Sequence, residues 1–164
     1  MKILKLYKDS KLPQKSHPTD SGFDVFVNNI SKTIKTINGK EEFITNKDFL
    51  LNNKIYLNPR ERILIGTGIS ASVKSGYEIQ VRPRSGMALK NGLSIVNTPG
   101  TVDSSYRGEI CIILINLSNV IQEIKKDMKI AQLVVAPVIL DDIIEVDHFE
   151  ETIRNDSGFG STGE

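Results

Sequence analysis

Cysteine is almost absent from this chain of 164 residues, in which Cys111 is the only one. A single thiol cannot form an intramolecular disulfide or supply the ligands of a cysteine-based zinc site. The two histidines, His17 and His148, stand in no nucleophile motif, which argues against a Ser-His-Asp site. There is no P-loop, and Gly66-Thr67-Gly68 imitates a dinucleotide fingerprint only superficially, because no helical pattern follows it.

Net charge and long apolar runs are scarce as well. The formal charge is +1 at pH 7, so no overall field favours nucleic acid or a membrane, and we expect neither as a partner. No apolar stretch reaches the length of a transmembrane helix, and the N-terminus lacks the apolar region of a signal peptide, so a cytoplasmic location is expected by default. The length suits one globular domain that buries its own core.

The apolar residues that are present alternate with polar ones in short segments. This period of two predicts strands, which turn residues separate at short intervals, at 24–27, 62–65, 69–73, 77–82, 93–96, 110–115, 130–138 and 143–146. The pattern favours an all-β sandwich or barrel-like subunit. The run 110–115 is apolar on both faces, which suggests contact with another subunit and a packed, inert Cys111.

A short helix and a hairpin complete the predicted elements. Ser85 is the expected N-cap of a helical turn through residues 87–90, and Gly92 its C-terminal stop. Residues 28–54 are rich in Asn, Lys and Thr, and Asn38-Gly39 between two alternating runs is typical of a type I′ hairpin. We therefore expect a domain over residues 1–150 with an inserted hairpin, which is either surface decoration or a partner-binding surface.

The C-terminal residues 151–164 form a segment that cannot fold alone, yet they carry Arg154, Phe159, Ser161 and Thr162 among several glycines. So little apolar surface does not offset the entropy of ordering. This pattern predicts a lid that orders over a ligand with a flat ring and anionic groups. The alternative is a mobile terminus with one isolated phenylalanine.

Two segments interrupt the β pattern with charged residues near turns. At Arg84 and Ser85, free amides at a helix start and a guanidinium favour a local anion cradle, and the alternative is a capped turn with a solvated arginine. Asp20 and Asp24 bracket Gly22, and such carboxylates suit a hard cation such as Mg²⁺ held through water. The alternative there is a turn with aspartate caps.

The segment 97–109 predicts a hairpin with its turn near Ser104-Ser105. An exposed inner backbone edge can pair with the hydrogen-bonding edge of a base, and Gly100 lets a planar ligand approach. Asp103 stands where it can activate a water, and Tyr106 where it can pack on a sugar. The alternative is an Asp-Ser turn cap beside a core tyrosine.

Taken together, these segments resemble, in order, the five motifs of the trimeric deoxyuridine triphosphatase (dUTPase) family. The matching segments are Asp20-Ser21-Gly22-Phe23-Asp24, Pro83-Arg84-Ser85-Gly86, residues 100–109, Ile130-Ala131-Gln132 and residues 154–163. The resemblance implies a jelly-roll-like β-barrel or sandwich with a mobile C-terminal lid, assembled as a homotrimer with three shared sites. It also implies Mg²⁺-dependent hydrolysis of dUTP to dUMP and pyrophosphate, which limits uracil in DNA and supplies dUMP for dTMP synthesis.

The resemblance further implies a role for each matched residue. Asp103 is the base that activates water for attack on the α-phosphorus, and Gln132 is a second catalytic residue. Asp24 orients metal-bound water. The substrate-binding residues divide into those for uracil and sugar (Asn97, Gly100, Thr101, Val102, Tyr106 and Cys111), those for phosphate oxygens (Arg84, Ser85 and Gly86, with Gln132) and those of the lid (Arg154, Phe159, Gly160, Ser161 and Thr162).

Three departures from the family pattern are visible. Where the family usually has Gly-Asp-Arg, this chain has Asp127-Met128-Lys129, so a turn and an ion pair that the family motif forms are in doubt here. Asn155 and Ser157 replace usual glycines of the lid, and the 28–54 connection is longer than usual.

Two competing functions stay open at this point. A dCTP deaminase shares the fold but needs an added acid/base pair and no glycine-rich lid. A non-catalytic regulatory protein on the same scaffold would use the 33–45 hairpin as its contact surface.

The tail should close on a triphosphate but hardly on dUMP, because ordering about ten residues costs on the order of 10 kcal/mol, which base stacking alone does not offset. Limited proteolysis without ligand, with dUMP and with a nonhydrolysable dUTP analogue measures this. We expect protection of the tail with the analogue alone. Equal cleavage under all three conditions would rule out the lid.

Overall fold

The computed structural model of the chain describes residues 1–37, 40–44, 53–153 and 155–156. The described part contains thirteen strands and one helix. In chain order these are β1 (Lys2–Lys5), β2 (Gly22–Phe26), β3 (Asn29–Ile37), β4 (Lys40–Ile44), β5 (Lys54–Leu57), β6 (Arg62–Gly66), β7 (Ile69–Ser72), β8 (Tyr77–Pro83), α1 (Ser85–Asn91), β9 (Leu93–Ile95), β10 (Gly100–Val102), β11 (Cys111–Asn116), β12 (Gln122–Lys125) and β13 (Lys129–Pro137). The predicted mostly-β fold with one short helix is confirmed.

Two larger antiparallel sheets enclose one hydrophobic core. The four-stranded sheet has the order β10-β8-β13-β2 and the five-stranded sheet the order β4-β3-β6-β11-β9, while β1-β7 and β12-β5 form two small pairs. Core side chains come from both larger sheets, including Val81 and Leu133 of the first and Ile65 and Ile112 of the second. The β-branched residues suit such half-buried pleated surfaces, and their alternation sets which face each strand buries.

Strand β11 shows how the apolar run 110–115 is used. Ile112, Leu114 and Asn116 are buried, whereas the alternate positions are half-buried. The second apolar face is therefore partly open rather than packed into the same core, and its possible contact with another subunit stays a prediction.

The predicted hairpin exists, but its first residues belong to the main fold. Strands β3 and β4 pair with Ile37 opposite Lys40, while the turn Asn38-Gly39 lies outside the described residues. The first half of β3 also pairs with β6, and Asn28 is buried with its amide bonded to the carbonyl of Gly66. Removing all of 28–54 would therefore take away part of the five-stranded sheet.

Two local expectations are wrong. The N-cap of α1 is Arg84, in extended conformation, and Ser85 is the first helical residue; Gly92 ends the helix as expected, in left-handed conformation with φ 63°. The expected strand at 143–146 is not a strand, because those residues are exposed and pair with no described segment. Among the described residues, no helix is both long and apolar enough to span a membrane.

The loop after β11 depends on one buried amide. Asn116 is fully buried, and its Nδ2 donates to the carbonyls of Leu57 (2.9 Å) and Val120 (2.8 Å). Its Oδ1 accepts from the amide (2.9 Å) and hydroxyl (2.7 Å) of Ser118. One side chain thus joins the end of β5 to the loop that leads into β12.

Replacing Asn116 by Ala should lower the free energy of unfolding by about 2–4 kcal/mol, because buried groups lose their partners. Denaturant unfolding of the purified protein measures the loss. The exposed Asn119 gives the control Asn119→Ala, which should change stability by less than about 0.5 kcal/mol. Similar values for the two variants would contradict the role assigned to Asn116.

Candidate active site

A cavity of about 240 Å³ lies between the end of β10, the segment that follows it, and the half-buried face of β11. Its apolar floor includes Leu64 of β6 and Ile113 of β11. Six predicted site residues line it, namely Asn97, Thr101, Val102, Asp103, Tyr106 and Cys111, together with Glu109 and Ile110. The open face of β11 is therefore a wall of this cavity.

The predicted turn near Ser104-Ser105 is present and closes around Asp103. The amide of Tyr106 donates to the carbonyl of Asp103 at 3.1 Å, and Arg107 Nη1 donates to the carbonyls of Ser104 and Tyr106, both at 2.7 Å. In the part of the chain that the structure describes, the Asp103 carboxylate makes no hydrogen bond or ion pair. The side chain therefore does not cap the turn, and it is exposed at the cavity.

The two arms around this turn do not pair with each other in the described structure. Strand β10 pairs with β8, whereas the returning chain enters β11, which pairs with β6 and β9. The inner backbone edges of the arms are thereby left for another partner. Gly100 is buried, and a Cβ there would lie 3.2 Å from Asn97 Nδ2, so the glycine makes room for Asn97 in this structure.

Tyr106 is held at the cavity by its own loop. Its hydroxyl donates to the carbonyl of Glu109 at 3.0 Å, and its ring lies against Gly108, where a Cβ would fall 2.5 Å from the Cζ atom. The side chain is 44% exposed, which excludes the alternative of a core tyrosine.

The Cys111 thiol stays protonated at neutral pH. Burial raises its pKa from the ordinary 9.0 to about 11, and the nearby charge of Glu109 acts in the same direction. A neutral thiol in a partly apolar wall can contact a ring without competing as a nucleophile.

A second group of predicted residues surrounds Asp24, whose carboxylate is 2% exposed. Its Oδ1 accepts from Arg84 Nε (2.9 Å) and Gln132 Nε2 (3.3 Å). Lys129 Nζ lies 2.9 Å from Oδ2, an ion pair without good hydrogen-bond geometry. Burial alone would raise the pKa of Asp24, but Lys129, Gln132 and the charge of Arg84 outweigh it, so the pKa lies below its usual range.

The fourth motif, Asp127-Met128-Lys129, still forms a turn and an ion pair despite its departure from the family pattern. Asp127 takes the place of a glycine with φ 67°, a left-handed conformation that aspartate tolerates better than most residues. Lys129, in place of arginine, supplies a cation to Asp24. Ser85 and Gly86 are exposed at the start of α1, next to Arg84.

The two groups lie at opposite ends of β8. Strand β10 runs antiparallel to β8 with Val102 opposite Ile79, so Asp103 lies beyond one end of the pair, whereas Arg84 follows the other end. At about 3.3 Å per strand residue, this register puts Asp103 and Arg84 roughly 20 Å apart. A single copy of the chain therefore does not bring the two groups together.

Comparison with known proteins identifies the family of this chain. The family model described as dUTPase matches residues 48–163 of the chain. The chain belongs to the dUTPase family. A deoxyuridine 5'-triphosphate nucleotidohydrolase of Clostridium tetani is 43% identical over 163 residues, covering 99% of this chain and 96% of the relative. That of Picosynechococcus is 38% identical over 163 residues, covering 99% and 98%.

Solved dUTPases share the fold. A Staphylococcus bacteriophage 80alpha dUTPase variant with dUpNHpp has a TM-score of 0.76 and 24% identity, with 99% of this chain and 98% of that chain covered. The dUTPase of phage phi11 has a TM-score of 0.68 and 22% identity, covering 92% and 98%. The predicted family and the enzyme class of a dUTPase are thus confirmed, while the roles of single residues stay predictions.

Some residues at these groups were not singled out from the sequence. Lys129 appeared there only as a departure from the family motif. The bonds from Ser70 to the carbonyl of Arg107 and from Gly68 to the carboxylate of Glu109 join chain segments far apart in sequence. The predicted lid residues Arg154, Phe159, Gly160, Ser161 and Thr162 lie outside the described residues.

The raised pKa of Cys111 predicts slow alkylation. At pH 8 its thiolate fraction should be about 100-fold lower than that of an ordinary thiol, so iodoacetamide should modify the folded protein at least about 50-fold more slowly than the urea-unfolded chain. The rate of the unfolded chain should level off above pH 9, whereas that of the folded protein keeps rising. Mass spectrometry of this single-cysteine protein gives both rates, and equal rates at pH 8 would refute the assignment.

Proposed function

We propose that this dUTPase hydrolyses dUTP to dUMP and pyrophosphate, with Asp103 as the base for the water that attacks the α-phosphorus. The observation that carries the proposal is the cavity in which Asn97, Asp103, Tyr106 and Cys111 meet. The unpaired inner edges of the surrounding arms suit the hydrogen-bonding edge of uracil, and the ring of Tyr106 suits the deoxyribose face.

Asp103 is suited to the role of base because its carboxylate is exposed and free of other bonds in the described structure. It accepts the proton of the attacking water as the new oxygen–phosphorus bond forms and the bond to the pyrophosphate oxygen breaks. A positioned carboxylate contributes about 10²–10⁴-fold to such a reaction, and alignment of water, phosphorus and leaving group supplies much of the rest.

The group around Asp24 is suited to the phosphates. Arg84 uses Nε for Asp24 and Nη1 for the carbonyl of Lys129 (3.3 Å). Within the described residues its Nη2 makes no hydrogen bond, which leaves that atom for a phosphate oxygen. The amides and hydroxyl at Ser85 and Gly86 add donors at the start of α1, and Gln132 orients the carboxylate from β13.

The groups around Asp24 do not form a metal site by themselves. They fit Mg²⁺ only if the ion arrives bound to the triphosphate. Both carboxylate oxygens already contact cations or donors, and no group of three acidic, histidine or cysteine side chains among the described residues could hold a metal. A structural Mg(II) ion is noted for the phage phi11 dUTPase, which is a different role. Bound to the triphosphate, Mg²⁺ would neutralise the developing charge of pyrophosphate. The expected contact of Asp24 with the ion through water stays a prediction, because both of its oxygens are buried and engaged in this structure.

The 20 Å separation of Asp103 and Arg84 supports a site shared between copies, as expected for a homotrimer. A base must be within hydrogen-bond reach of its water, and Arg84 within reach of phosphate, so the two groups must come from different subunits. The segment 139–153 supports the same assembly, because it exposes large apolar residues, among them Ile139, Ile143, Phe149 and Ile153.

The competing functions differ in their products. Wild-type protein should release pyrophosphate from dUTP but neither pyrophosphate nor ammonia from dCTP. Ammonia from dCTP would instead support the deaminase, and binding of dUTP without turnover would support the regulatory protein. The cytoplasmic location stays a prediction.

Asp103→Asn should bind substrate but lose at least about 100-fold in kcat, because the amide cannot accept the proton of water. Calorimetry with a nonhydrolysable dUTP analogue and a pyrophosphate-release assay measure the two properties. Asp147→Asn, at an exposed position outside the cavity, is the control and should keep wild-type turnover. If Asp103→Asn retained more than about a tenth of wild-type kcat, Asp103 would not be the base.

Mixed trimers test the shared site. Ser85→Glu puts a negative charge where phosphate should bind, at a helix start that tolerates it, and should be inactive alone, like Asp103→Asn. Random co-assembly pairs an intact Asp103 with an intact Ser85 at about a quarter of the sites, so about a quarter of wild-type activity should return. Purified homotrimers mixed without subunit exchange are the control. Verified mixed trimers without recovered activity would refute the shared site.

A further inference from the structure

The turn Gly66-Thr67-Gly68, which joins β6 to β7, receives the carboxylate of Glu109. The amide of Gly68 donates to Glu109 Oε1 at 2.7 Å. Gly68 has φ 72°, a left-handed conformation that favours glycine, and a Cβ on Gly66 would fall 2.5 Å from the same carboxylate oxygen. Gly66 thus leaves room for the carboxylate, and Gly68 takes the left-handed conformation that presents its amide to it.

The backbone around Glu109 is fastened to the same turn and to β7. Thr67 Oγ1 donates to the carbonyl of Ile110 at 2.6 Å in a buried position, and the amide of Ile110 donates to the carbonyl of Ile69 at 2.8 Å. Ser70 Oγ donates to the carbonyl of Arg107 at 2.9 Å. Residues 107–110, here called the return arm, are therefore attached to the fold at several points.

Glu109 connects this attachment to the cavity. Besides Gly68, its Oε1 accepts from Asn29 Nδ2 at 3.2 Å, at the start of β3. Its backbone carbonyl accepts the hydroxyl of Tyr106, and the residue itself lines the cavity. Glu109 thus touches the turn, the first residue of β3 and the tyrosine that lines the cavity.

We propose that Glu109 is a positioning residue: seated on Gly66-Thr67-Gly68 and Asn29, it holds the return arm so that Tyr106 and Asp103 face Cys111 across the cavity. The proposal rests on the proposed function for its kinetic consequences. Glu109 acts through the arm rather than on the reacting atoms, because its Oε1 already accepts two hydrogen bonds that fix its orientation.

Three variants and one control test this role. Glu109→Ala removes both bonds. Glu109→Gln removes the charge but keeps an oxygen acceptor for Gly68 and Asn29. Glu109→Asp keeps the negative charge but is one methylene shorter, which withdraws the carboxylate from the amide of Gly68. The control is Glu61→Ala, because Glu61 Oε2 also accepts a turn amide, that of Asn58 at 2.8 Å, but does not line the cavity.

The kinetic readout is kcat and KM for dUTP. Glu109→Ala should raise KM and lower kcat, with kcat/KM reduced at least about 10-fold, and Glu109→Gln should recover most of that loss. Glu61→Ala should keep wild-type values. If Glu109→Gln were as impaired as Glu109→Ala, the charge itself would act in the reaction, and the positioning role would be overturned.

Alkylation of Cys111 at pH 8 without nucleotide gives a second readout that needs no turnover. The charge of Glu109 also raises the pKa of Cys111, so Glu109→Gln, which lacks that charge, is the reference for this rate. A displaced arm opens the cavity, so Glu109→Ala should react at least about 5-fold faster than Glu109→Gln, and Glu61→Ala should react at the wild-type rate. If Glu109→Ala were alkylated faster while the wild-type protein failed to hydrolyse dUTP, the proposed function would be refuted but the positioning role of Glu109 would stand. Unchanged alkylation and kinetics in Glu109→Ala would refute the positioning role of Glu109.

Glu109→Asp decides the case in which Glu109→Ala does not fold. The substitution keeps the negative charge but withdraws the carboxylate from Gly68 and Asn29, so it should reduce kcat/KM at least about 3-fold while accelerating alkylation. Wild-type kinetics and alkylation in folded Glu109→Asp would overturn the proposal.

Discussion

The register in which β8 pairs with β10 and β13 determines where each functional group can act. Because β8 is hydrogen-bonded on both edges, neither end can slip without moving a whole hydrophobic face out of the core. Asp103 follows the end of β10 near the first residues of β8, and Arg84 follows the last residue of β8. The chemistry proposed for them would therefore require contact between copies of the chain.

The carboxylate of Asp24 organises the group of residues that is proposed to bind the phosphates. A carboxylate that is 2% exposed is costly unless it is paired, and here Arg84, Lys129 and Gln132 come from three different places in the sequence to meet it. The same contacts hold Arg84 in one orientation before any ligand arrives. Burial of the charge thus costs free energy in the empty protein and contributes preorganisation to the site.

The cavity side is organised by glycines and backbone bonds rather than by charge pairs. Gly108 lets the ring of Tyr106 lie flat against the chain, and Gly66 and Gly68 let a carboxylate lie on a turn. The turn that imitates a dinucleotide fingerprint does bind an anion by a backbone amide, but the anion belongs to the chain itself. Through Asn29, the same carboxylate contacts the strand that leads into the long 28–54 segment.

The sequence by itself determined most local elements and supplied the candidate site residues, whose roles stay predictions. Period-two alternation, the turn at Ser104-Ser105 and the stop at Gly92 follow from steric rules that act over a few residues, so they could be predicted. Local rules failed at Ser85, where the extended Arg84 caps the helix, and at 143–146, where a strand pattern finds no partner in the described chain. Only the tertiary structure decided which strands pair, that Lys129 reaches Asp24, and that Glu109 seats on Gly68. Those contacts join residues tens of positions apart, and their geometry depends on how the sheets pack, which no local pattern encodes.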